Sequence, residues 1–96
     1  MATIVGICTL ELHLPGVGSL KEKRSILKSM LARLHNTFNV SAAEVDHHDM
    51  WRSAAIGIAS VSNSTAHANR VIQQVIDWVE THYPDAYITD QDIEIL

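Results

Sequence analysis

"GSLKEKRSILKSMLARLHNTF" (Gly18–Phe38) carries both a start signal for a helix and a face for that helix to bury. Ser19-Leu20-Lys21-Glu22 fits the S-x-x-E capping box. The Ser19 hydroxyl would accept an amide proton of the first turn, and the Glu22 carboxylate would reach back to the Ser19 amide. Glu22 also suits the positive end of the helix dipole. Leu20, Leu27, Met30, Leu31, Leu34 and Phe38 then recur at helical spacing, with Ile26 at the margin. They form one apolar stripe, and the spacing predicts a helix over residues 19–37.

Outward from this helix the period changes. Before it, "TIVGICTLELHL" (Thr3–Leu14) alternates, with Cys8, Leu10, Leu12 and Leu14 on one face and Ile7, Thr9, Glu11 and His13 on the other. Period two over this length predicts a half-buried strand, which "PGVG" ends. After the helix, Asn39–Asp49 and Trp51–Ser62 read as two strands joined in a hairpin around His48-Asp49-Met50. Ile56 and Ile58 take one face of the later strand, opposite Ala55, Gly57, Ala59 and Val61. "SNST" (Ser62–Thr65) offers N-caps for a second helix, whose stripe is Ala68, Val71, Ile72, Val75 and Val79, with Ile76 and Trp78 at its edges. Pro84 disfavours helix at Tyr83, so this helix should stop near His82. Ala86–Leu96 closes the chain as a strand with a bulge expected near Asp90–Asp92.

The order is βαββαβ. Right-handed crossovers place both helices on one face of a four-stranded antiparallel sheet in the order 4-1-3-2, a ferredoxin-like α/β sandwich. The other face of the sheet must meet water or a partner.

The chain's 96 residues predict a single domain, residues 1–96. Its 47% hydrophobic content suffices for a core without a structural metal or disulfide. One cysteine, Cys8, excludes an intramolecular disulfide and favours a reducing compartment. No segment reaches the ~18 apolar residues of a membrane span, and the N-terminus lacks the pattern of a secretory signal. The expectation is a cytoplasmic protein with no membrane partner and no cofactor.

Charge is placed unevenly on a chain of net charge −4. Residues 1–38 carry net +3 and residues 39–96 net −7. Such asymmetry can orient a partner or drive association. Lys21, Arg24 and Lys28 fall on one flank of the first helix, and His35 continues their line. Lys23 falls at the opposite margin of the stripe and Arg33 on the far face. The three-cation ridge could hold phosphates, near a helix N-terminus that favours anions. The same stems could equally shield the apolar stripe while their heads stay in water. The two central strands carry no aromatic residue, so base stacking on the sheet is not expected.

"EVDHHD" (Glu44–Asp49) is the most chemically suggestive run. In an extended strand Glu44, Asp46 and His48 share one face, and His47 and Asp49 the other. Histidine with carboxylates can bind zinc or manganese, or act as acid and base near neutral pH. Neighbours on one strand face stand ~7 Å apart, so further ligands would come from another strand, with His13 a candidate. A polar hairpin end satisfied by solvent is the plainer reading. No H-E-x-x-H, paired C-x-x-C, Walker or Gly-x-Ser-x-Gly pattern is present. Cys8 belongs to the inward set and reads as a small buried hydrophobe. Trp51 and Trp78 are candidate interface anchors.

Ser19–Arg24 ("SLKEKR"), Phe38–Ser41 ("FNVS"), Glu44–His47 ("EVDH"), Trp51 and Gly57–Asn63 ("GIASVSN") resemble the bacterial YlxP-like family, a domain of unknown function, over essentially the whole chain. One departure is His48, where a glutamine is common. The resemblance implies a ferredoxin-like fold and self-association. Genes of the family often stand beside translation-initiation and ribosome-maturation genes, which implies ribosome-linked work. No catalytic residue carries over. The reading is therefore an accessory protein without enzymatic activity, binding RNA or a ribosomal assembly through Lys21, Arg24 and Lys28. The alternatives are a homo-oligomeric scaffold, or a metal-dependent hydrolase using Glu44–Asp49.

Overall fold

The computed structural model describes residues 2–96. The elements are β1 (Ile4–His13), α1 (Leu20–Thr37), β2 (Ser41–Asp46), β3 (Ser53–Ser62), α2 (Thr65–His82) and β4 (Tyr87–Ile95). Four antiparallel strands form one open sheet in the order β2-β3-β1-β4. With both helices on one face, this is the ferredoxin-like βαββαβ arrangement expected.

Alternation decides which face of each strand meets the helices. Cys8, Leu10 and Leu12 of β1 and Ile56 and Ile58 of β3 are buried, and α2 adds Ala68, Ile72, Val75, Ile76 and Val79. Gly6 sits where α2 comes closest, since a Cβ there would lie 2.8 Å from Ile72 Cδ1. Side-chain absence is what permits that approach.

Helix α1 starts as its sequence signals. The Glu22 amide donates to Ser19 Oγ at 3.1 Å, but the Glu22 carboxylate takes the Gly18 amide (3.0 Å), one residue before the expected Ser19 amide. The helix is also rolled relative to its apolar stripe. The buried line is Lys23, Leu27, Met30 and Leu34, while Leu31 and Phe38 are only half-buried. Arg33, expected on the far face, instead turns toward α2, its guanidinium 5.0 Å from the Trp78 ring centroid and donating to the Tyr83 hydroxyl at 3.1 Å.

Both edge strands carry bulges. In β2, Glu44 stands opposite Ile56 but Asp46 opposite Ala55, so Val45 is an extra residue. Val45 lies over Gly57, where a Cβ would come within 2.9 Å of its Cγ1. In β4 the pairing Glu11↔Asp90 and Leu12↔Ile88 leaves Thr89 unpaired, just before the Asp90–Asp92 range expected. The hairpin is shorter than its alternation suggests. Strand β2 stops at Asp46 and β3 starts at Ser53, because His47 adopts a left-handed backbone (φ 63°) that ends extended pairing. Among the described residues, no helix is long and apolar enough to cross a membrane.

Candidate functional site

Three structural features gather the chemistry-bearing residues. The first is the exposed flank of α1. Lys21, Arg24 and Lys28 are all exposed there, and among the described residues none of them forms an ion pair. The Ser19 cap fixes the helix end that presents them. His35 belongs to this flank but is engaged elsewhere, since its Nε2 accepts the Ala42 amide of β2 at 3.1 Å. A ring nitrogen that accepts carries no proton, so in this arrangement His35 adds no positive charge to the ridge. The bond also shows that the flank lies along the β2 edge of the sheet.

The second feature is not apparent from the sequence. Lys23 is fully buried, and its ammonium reaches Glu44 Oε2 at 3.0 Å. It donates to the carbonyls of His47 (2.8 Å) and Ser53 (3.2 Å), with that of His48 at 3.5 Å. These carbonyls occupy the three ammonium protons, so Glu44 Oε2 interacts as a neighbouring charge without a well-aligned hydrogen bond. One cation thus ties α1 to both ends of the β2–β3 loop. The available signal is the i, i+4, i+7, i+11 spacing of Lys23, Leu27, Met30 and Leu34. A lysine does not read as part of an apolar line, because its burial needs partners that only the fold supplies.

The third feature is the "EVDHHD" run. The Val45 bulge separates the residues that simple alternation would align. Glu44 turns to the helix side with Ile56, and Asp46 to the open face with Ala55. His48 is exposed in the loop. Glu44, Asp46 and His48 therefore do not share a face, and no group of three His, Cys, Asp or Glu among the described residues is placed to hold a metal ion. His13 is not drawn in either; its Nδ1–H donates to the Arg52 carbonyl at 3.1 Å. The partner His47 does find is Glu11 of β1, with Nε2 2.9 Å from Oε2 on the open face. The Asp46 carboxylate accepts the His47 amide at 2.7 Å. These contacts hold the left-handed turn from above the sheet as Lys23 holds it from below.

The two tryptophans differ. Trp51 is half exposed, beside the equally exposed Met50 in the β2–β3 loop. Trp78 is half-buried between α1 and α2, edge-on to Phe38 and stacked on His82 with centroids 4.6 Å apart. Cys8 is fully buried, and its thiol is pushed up to about 11 by burial and, secondarily, by the Asp92 charge. A thiol held protonated is a poor nucleophile.

Known proteins carry the same pattern. The family described as "Protein of unknown function (DUF503)" matches residues 5–93. The "Uncharacterized protein YlxP" of Bacillus subtilis (strain 168) is 37% identical over 78 residues, covering 81% of this chain and 85% of that protein. A match spanning every element from β1 to β4 is a match of the whole fold, and on that basis the chain belongs to the DUF503 family.

Proposed function

We propose that this protein is an accessory binding module that holds the phosphate backbone of RNA, including RNA in a ribosomal assembly, on the exposed flank of α1. The observation that carries the reading is the set of three exposed cations, Lys21, Arg24 and Lys28, with no carboxylate partner among the described residues. Nearby Lys23 is consumed by its buried contacts, so the ridge is what the helix has to spare. The sheet's open face suits RNA poorly, since Glu11, Asp90, Asp92 and Glu94 share it by register. Binding would be shape-based and weak, falling steeply with salt. Changing Lys21, Arg24 and Lys28 together to Gln should remove about two to three units from the slope of log affinity against log salt, with helical content intact. Retention on RNA unchanged by the triple substitution would refute the assignment.

A second reading is self-association through the open face. Val45 and Val61 are exposed there at 53% and 66% beside Ala43, Gly57 and Ala59. Pairing two such faces would remove apolar area from water. Sedimentation velocity across a concentration series tests it, and a strict monomer at micromolar protein ends it.

A further inference from the structure

The two edges of the sheet are treated differently. Strand β2 spans Ser41–Asp46, is bulged at Val45, and has its Ala42 amide stoppered by the His35 ring. These are devices that keep another strand from pairing. Strand β4 runs from Tyr87 to Ile95 without proline, lysine or arginine, and its own bulge at Thr89 lies before the regular stretch Gln91–Ile95. Leu96 exchanges both backbone bonds with Val5, at 2.8 and 3.4 Å. Antiparallel alternation then points the backbone of Glu94 and Asp92 toward β1 and that of Gln91, Ile93 and Ile95 to the outside. No hydrogen bond among the described residues reaches those outward amides and carbonyls.

Charge selects what could pair there. Asp90, Asp92 and Glu94 stand on the open face next to this edge, opposite Glu11, Thr9 and Ile7, and none of them forms an ion pair among the described residues. On the helix side a cleft of about 590 Å³ opens between α2 and the start of β4, with Glu80 in its wall. A second copy of β4 would set like charges across the new ladder, which opposes pairing. The chain's own cation ridge is on α1, along the opposite edge of the sheet, so it does not neutralise this one.

We infer that the free edge of β4 is a docking site for an extended basic segment of another protein. The segment adds as a fifth strand beside Gln91–Ile95. Its backbone satisfies the outward groups of Gln91, Ile93 and Ile95. Its lysine or arginine side chains on one face meet Asp90, Asp92 and Glu94, and one on the other face enters the cleft beside Glu80. Main-chain bonds supply affinity and alternate side chains supply selectivity, as in strand addition generally. This inference stands independently of RNA binding at α1.

The probe is a short synthetic peptide alternating lysine with valine, titrated into the full chain. The expected result is slowed hydrogen exchange at the amides of Gln91, Ile93 and Ile95. Binding should be about tenfold weaker when Asp90→Asn, Asp92→Asn and Glu94→Gln are combined. It should be absent for a glutamate–valine peptide and unchanged when Lys21, Arg24 and Lys28 become Gln. Gln91→Pro removes one outward amide while sparing the β1 ladder, and should remove binding. If that variant misfolds, a peptide N-methylated at alternate amides asks the same question with the protein unaltered. Protection appearing on α1 or elsewhere on the sheet, equal binding of the glutamate peptide, or no binding would overturn the inference. So would edge protection that rises with protein concentration in the absence of peptide, which would make a second copy the occupant.

Discussion

Replacing Lys23 by methionine would strand the Glu44 carboxylate and the His47 and Ser53 carbonyls beneath the β2–β3 loop. Removing one member of a buried ion pair costs about 3 kcal/mol, whereas removing both can be close to neutral. Lys23→Met should therefore lower unfolding stability by about that amount in urea titrations, and Lys23→Met with Glu44→Gln should recover part of it. A loss below about 1 kcal/mol for the single variant would show that the ammonium does not hold the loop. Cys8 gives a pH test. Its folded thiol is raised from 9.0 to about 11, so between those values the folded chain keeps a proton that the unfolded chain has released. Stability is thus fully present below pH 9.0 and declines as pH rises toward about 11, by about 2–3 kcal/mol. Cys8→Val should flatten this part of the alkaline profile, measured as the difference between the two proteins. Identical profiles would reject the shift.

At the scale of elements, α1 is held at its start by local bonds and along its length by burial. Ser19 Oγ accepts the Glu22 amide, and the Glu22 carboxylate accepts the Gly18 amide. Ser19→Ala should cost about 1 kcal/mol in chemical denaturation, with more rapid amide exchange confined to the first turn of α1. An exchange map altered evenly across α1 would mean that the cap does not set the helix end. The capping residues, the strand alternation and the end of α2 before Pro84 are legible in sequence because each depends on residues only a few positions apart. The roll of α1 is not. Phe38 and Leu31 continue its apolar stripe, yet the buried line runs through Lys23, since Glu44 and the loop carbonyls make that burial possible. The candidate metal face fails for a related reason: one extra residue, Val45, reverses the side on which Asp46 emerges.

For the whole molecule, β1 is central, paired on one side with β3 and on the other with β4. The N-terminal strand therefore cannot complete its ladders until the C-terminal strand arrives. We predict a single cooperative unfolding transition for the chain, with far-UV circular dichroism and tryptophan fluorescence superimposing. Trp78 reports the α1–α2 contact through Arg33 and Phe38. An earlier fluorescence transition would show that the helices separate before the sheet melts.

By itself the sequence determined the element types, their order, the helix starts and the inward faces of the central strands. Those follow from periodicity and capping, in which every partner is a near neighbour along the chain. Only the tertiary structure decided that Lys23 is buried, that His47 meets Glu11, that Arg33 rests on Trp78 and that one sheet edge is stoppered while the other has no backbone partner among the described residues. Each of these joins residues far apart in sequence. Register, bulges and helix roll set which of them meet, and those quantities emerge when the elements pack together.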